Sequence, residues 1–111
     1  MLKIIERLTK SKNPNSKRYK ADFARRLHGK RIKYVTERID NEDIVIGHDG
    51  EMSVRGDELI VFSSNNIVLR VKIDELSASE LMSLDGVILS GKNLEDGGNE
   101  RTIIAYYLYY L

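Results

Sequence analysis

From Ile44 to Ile73, apolar residues recur at every second position, and turn-forming residues cut the pattern at short intervals. Ile44-Val45-Ile46 runs into Gly47-His48-Asp49-Gly50, which reads as a turn with two glycines. Met52 and Val54 are followed by Gly56-Asp57, and Leu59 and Val61 by Ser63-Ser64-Asn65-Asn66. Ile67, Leu69, Val71 and Ile73 then form an inward row, with Arg70 and Lys72 facing out. A period of two lines one face of a pleated strand, and β-branched side chains suit that surface. Glycine at the first position of a two-residue loop is the requirement of a II′ hairpin turn. Short strands joined by tight turns at this spacing predict an antiparallel meander.

The flanking segments extend the pattern. Ile32, Tyr34 and Thr36 alternate with Lys33, Val35 and Glu37, which predicts a strand over 31–39 and an acidic turn at Asp40 to Asp43. Val87-Ile88-Leu89 predicts another strand. Gly91 to Glu100, with three glycines, reads as a mobile hairpin loop. Arg101 to Leu111 fits a strand or a helical stripe. Its Tyr and Ile content favours a strand paired antiparallel with 86–90, and as the terminal strand it would leave an edge open. Residues 74–84 read as a helix. Ser77-Ala78-Ser79-Glu80 matches a capping box, in which Ser and Glu side chains satisfy each other's free backbone N–H groups, and Leu76, Leu81 and Leu84 would face the sheet.

Two basic helices are expected before the sheet. Leu2, Ile4, Ile5 and Leu8 share one helical face, and a break follows around the only proline, Pro14. Ala21, Phe23, Ala24 and Leu27 give partial helical spacing from Lys17 to Leu27. Gly29 would end that helix in the left-handed region, with Arg25, Arg26 and His28 at the negative end of its dipole. The expected architecture is α+β, mainly β: an antiparallel meander forming a roll or small open barrel, with N-terminal basic helices and one short inserted helix near 75–84. Residues 1–111 are read as a single domain, with a basic helical arm over 1–30 and a β-rich body over 31–111. Helices followed by a hairpin meander are similar in architecture to Sm-like small barrels, and a roll with an inserted helix resembles pleckstrin-homology-like domains. The diagnostic motifs of both are absent from the chain.

Charge is sorted along the chain. Residues 1–40 hold 13 Lys and Arg against 4 Asp and Glu, whereas 41–111 hold 5 against 13, so a segment of net +9 precedes one of net −8. With no cysteine, disulfides, thiolate nucleophiles and cysteine-based zinc sites are excluded. No apolar run reaches the roughly 20 residues that cross a bilayer, and a cytoplasmic protein is expected. There is no phosphate-binding glycine motif, and Asp40-Asn41-Glu42-Asp43 and Glu95-Asp96-Gly97-Gly98 lack the ligand spacing of a calcium loop. His28 and His48 are too few for a metal site, and Asp49, which could orient His48, reads more simply as making the Asx-type bond expected in a turn. No catalytic, cofactor-binding or metal-binding residue is assigned, and an enzyme is not expected.

The functional expectation is a non-catalytic interaction module that self-associates or binds a protein partner. Tyr107 and Tyr109, on one face of the last strand, are its interface candidates. The alternative is a module that binds RNA or single-stranded DNA through the basic segment 12–33. Its phosphate contacts would be Lys17, Arg18, Lys20, Arg25, Arg26, Lys30, Arg31 and Lys33, with Tyr19 or Phe23 stacking on bases. In the first reading the basic arm meets the acidic body of its own chain or of a second copy across an interface. Exposed pairs of that kind act on orientation more than on stability. An anionic membrane surface is a further candidate partner for the basic segment.

Overall fold

The computed structural model describes residue 13 and residues 16–109. The expected helix over the first ten residues lies outside the described residues. Ser16 Oγ accepts the N–H of Tyr19 at 3.1 Å and caps α1 (Lys17–Leu27), supplying a partner that the first helical turn lacks. Phe23, Ala24 and Leu27 are buried on the inner face of α1. Gly29 takes φ +84°, as the sequence predicts. Its N–H donates to the Met52 carbonyl at 2.8 Å, so the chain passes straight from helix to sheet.

Seven strands follow: β1 (Arg31–Ile39), β2 (Glu42–Arg55), β3 (Glu58–Ser63), β4 (Asn66–Lys72), β5 (Ser77–Glu80), β6 (Gly86–Asn93) and β7 (Asn99–Tyr107). They form one antiparallel sheet in the order β4-β3-β2-β1-β7-β6-β5. The sheet is not closed, and the architecture is the open roll that the periodicity predicts. Asp40-Asn41 and Ser64-Asn65 both carry positive φ at two successive residues, the backbone that matches the twist of paired strands. Gly56, at φ +61°, opens the β2–β3 turn.

Four local expectations are corrected. First, Gly47 to Gly50 is not a turn: β2 runs through it as one bent strand of 14 residues. Ile46 is an extra residue in the β1 register, and Asp49 takes φ +54°. Gly50 is required for close approach, because a Cβ there would collide with the Phe62 carbonyl oxygen. Second, the inserted helix near 75–84 is absent. A single 3-10 turn (Ile73–Glu75) leads into β5, which pairs with β6. Ser77-Ala78-Ser79-Glu80 satisfies period two as well as the capping pattern, and the free backbone of β6 decides between them. Leu76 is buried, but Leu84 is exposed at φ +64°. Third, the glycine-rich segment expected as a loop is mostly strand and a 3-10 turn (Leu94–Asp96). Fourth, β7 pairs with β6 as expected but is not an edge, because β1 lies on its other side.

The core gathers Leu59, Val61, Leu69 and Val71 with Ile32, Val35, Met52, Leu76, Val87, Leu89, Ile103 and Ala105, and α1 adds Phe23 and Leu27. Side chains complete what the sheet leaves open. Asn93 Oδ1 accepts the Arg70 backbone N–H at 3.1 Å, and Arg101 Nη1 donates to the Val68 carbonyl at 2.7 Å. Both contacts satisfy backbone groups on β4 that no strand pairs. Gly91 lets β6 approach β4, since a Cβ there would lie 2.6 Å from Val71 Cγ2.

Candidate anionic-partner surface

The basic segment is attached to the sheet by apolar and aromatic contacts. Tyr19, Phe23 and Leu27 pack on the core side of α1, while Lys17, Arg18, Arg25 and Arg26 are exposed. Lys20 is half-buried and donates to the Asp74 carbonyl at 3.1 Å. Lys30, Arg31 and Lys33 follow at the start of β1, all exposed. Lys33 is an extra residue where β1 meets β7: Ile32 stands opposite Tyr107 and Tyr34 opposite Tyr106. The bulge turns Ile32 and Val35 to the core and leaves Lys33 outside.

The acidic body does not neutralise these cations by ion pairing. Among the described residues, no ion pair joins a cation of 17–33 to a carboxylate of 41–111. Arg25 pairs with Asp22 on its own helix at 3.3 Å. The body's acids meet the body's own cations: Arg70 holds Glu58 at 3.0 Å and Glu95 at 2.7 Å, and Lys72 holds Asp57 at 2.8 Å. The hydrogen bond from Lys72 keeps the Asp57 carboxyl below its ordinary range. Arg101 of β7 forms a two-pronged pair with Glu37 of β1, at 2.7 and 3.0 Å. Segment 17–33 therefore keeps eight cations against one acid, Asp22.

Tyr107 is the point where the two lists of candidate residues meet. The residue is 8% exposed and part of the core, so it is not available as an interface residue. The Lys30 Nζ lies 5.1 Å from its ring centroid, and the Tyr109 ring meets it edge-on at 6.1 Å. Its hydroxyl donates to the Glu80 carboxylate at 3.0 Å. Burial, with that hydrogen bond second, pushes the Tyr107 phenol well above the ordinary tyrosine range, while the positive charge of Arg26 opposes the shift. Tyr109 remains 57% exposed, and its hydroxyl donates to the Leu84 carbonyl at 2.6 Å. An oriented, accessible ring thus packs against Tyr107, whose other neighbour is Lys30. The sequence places Tyr107 and Tyr109 on one face, but nothing local in it brings Lys30 to Tyr107.

The proposed stacking residues fare differently. Phe23 is 3% exposed and Tyr19 is half-buried, and they pack together at 6.0 Å, with the Arg26 guanidinium 4.9 Å from the Phe23 ring. Phe23 is therefore occupied within the fold, which corrects its assignment as a base-stacking ring.

The bend of β2 shapes a broad open hollow of about 820 Å³, lined by Arg31, His48, Asp49, Glu51, Phe62 and Asn65 among others. Arg31 stands opposite Glu51 across the strands, so acid and base share that surface. His28 has a structural role: its Nδ1 accepts the Val54 N–H at 2.9 Å, extending the ladder of β2 beyond the start of β1. No cluster of three metal-ligating side chains occurs among the described residues. No described helix is long and apolar enough to cross a membrane. No protein-family model, curated protein or solved structure matches the chain.

Proposed function

We propose that the protein is a non-catalytic, cytoplasmic interaction module whose α1–β1 surface binds a flexible polyanion, with single-stranded RNA or DNA as the partner class. The observation that carries this reading is the exposed Tyr109 ring packed against Tyr107, whose own ring carries Lys30 of a segment whose cations are unpaired with the body's carboxylates. Cations that displace counterions from phosphates supply affinity without sequence preference. An exposed aromatic ring supplies a platform on which an unpaired base stacks. Of the body's acids, Asp57, Glu58 and Glu95 are held by Lys72 and Arg70.

The test is fluorescence anisotropy with a labelled mixed-sequence oligonucleotide at low salt, alongside a sulfated polysaccharide that has charge but no bases. The wild type binds both. Tyr109→Ala weakens the oligonucleotide by about 1–3 kcal/mol per lost stack and leaves the polysaccharide unchanged. Equal loss for both ligands removes the stacking role, and no binding to any oligonucleotide removes the reading.

A further inference from the structure

Among the described residues, the outer sides of β4, of β5 and of the first part of β2 have no strand beside them, and the chain treats the three differently. The outer side of β4 is met by Asn93 and Arg101 and carries Arg70 and Lys72. β5 is four residues long, with Ser77, Ser79 and Glu80 exposed. Shortness, charge and covering side chains are the usual protection of an edge. The first part of β2 is neither short nor covered, and its charges, Glu42 and Asp43, stop short of Ile44 and Val45. β3 joins β2 only from Gly50 onward, so among the described residues Glu42 to Ile46 has β1 on one side and no strand on the other. Yet Ile44 is 45% and Val45 49% exposed, with Ile39 at 45% on the neighbouring strand.

We propose that this edge pairs with the same edge of a second copy of the chain, antiparallel about a two-fold axis centred on Ile44. Alternate N–H and C=O groups of a strand point away from its one neighbour, and a two-fold axis makes such a row complementary to itself. Charge selects the register. Centred on Ile44, each Asp43 opposes a Val45 and each Glu42 an Ile46, so no two carboxylates face each other. Centring on Asp43 would set two acids opposite. Moving the axis toward His48 meets backbone already in use, because the His48 N–H donates to Ser64 Oγ and its carbonyl accepts the Ser64 N–H. Arg38 holds Asp43 at 3.1 Å, which neutralises the acid nearest the axis. Ile39 stands opposite Glu42, and Ile44 opposite Glu37, so Ile39 and Ile44 share a face. Pairing would set Ile44 against its copy on that face, with Ile39 of each copy nearby.

The dimer is independent of the polyanion reading but compatible with it. The edge lies at the Ile39 end of β1 and the basic surface at the Arg31 end, roughly 26 Å away at the rise of an extended strand. Two basic surfaces on one particle would raise avidity for a long polyanion.

The absence of native cysteine makes the test direct. Opposed residues of an antiparallel pair have Cβ atoms about 4.5–5.5 Å apart, close to disulfide range. Ile44→Cys in the full chain should therefore cross-link to a dimer under mild oxidation. Met82→Cys, at a fully exposed position, serves as the control for random encounter, and Ile44→Cys should cross-link at least about tenfold faster. Light scattering in the micromolar range should show a dimeric wild type and a monomeric Ile44→Lys with an unchanged circular dichroism spectrum. A monomeric wild type, a dimer that survives Ile44→Lys, or equal cross-linking of the two cysteine variants each overturns the proposal.

Discussion

Lys30 Nζ stands 5.1 Å from the centroid of the Tyr107 ring, so the basic segment meets the sheet through an aromatic face and not through a carboxylate. A cation over an aromatic ring keeps its full charge, whereas a cation in an ion pair is locally cancelled. The segment thus stays attached while its charge remains available to a partner. The attachment comes from Phe23, Ala24 and Leu27, whose burial does not depend on salt.

Arg101 links three strands, donating to Glu37 of β1 and to the Val68 carbonyl of β4. Its side chain is 27% and that of Glu37 21% exposed. Arg101→Met keeps much of the side-chain volume but leaves a half-buried carboxylate and an unpaired carbonyl. The expected loss is about 2–4 kcal/mol, measured by urea unfolding. Arg101→Met/Glu37→Met, which removes both charges, should recover part of it. A double variant no more stable than Arg101→Met alone would show that the carboxylate is not the source of the loss.

Thr36 lies on the opposite face of β1 from Val35, 5% exposed, and its hydroxyl has no hydrogen-bond partner. A buried hydroxyl without a partner costs about 1–3 kcal/mol. Thr36→Val has nearly the same shape and suits a strand equally well. It should raise stability by about 1 kcal/mol, seen as a higher thermal midpoint. A lower midpoint would show that the hydroxyl does find a partner in solution.

Tyr107 sets a limit on the alkaline side. Its folded-state pKa lies above the ordinary value of 10.0, so above that pH the unfolded chain releases a proton that the fold still holds. The neutral phenol's contribution is complete below pH 10 and declines as pH rises, at up to about 1.4 kcal/mol per pH unit. Tyr107→Phe loses the hydrogen bond to Glu80, about 1 kcal/mol at neutral pH, but should unfold less steeply with alkali. Tyr106, also raised by burial, leaves a smaller residual slope. Parallel alkaline profiles for the two proteins would contradict the assignment.

The parts of this fold that could be read from the chain are those where local chemistry is decisive. Period two and the paired residues Ser64-Asn65 and Gly56-Asp57 locate β3 and β4, and the break around Pro14 with Gly29 brackets α1. The errors fall where a distant partner decides. Ser77 to Glu80 satisfies two local patterns at once, and pairing with β6 selects the strand. Gly50 resembles a turn glycine, yet its role is to admit the Phe62 carbonyl. The surface follows the same division. Its cations are visible in composition, but their freedom depends on which acids are taken elsewhere, such as Glu58 by Arg70. The approach of Lys30 to Tyr107 follows from Ile32 pairing with Tyr107, a contact between opposite ends of the chain.

The central claim is that the cations of α1 and early β1 remain free to meet phosphates. The most direct measurement is the salt dependence of oligonucleotide affinity between about 50 and 200 mM, where each phosphate contact on a single strand contributes about −0.7 to the slope of log K against log salt. A steep negative slope for the wild type, made shallower by about one contact's worth per site in Arg26→Ala/Lys30→Ala, is the predicted result. No binding at the lowest salt, or a slope that the double variant leaves unchanged, would contradict it.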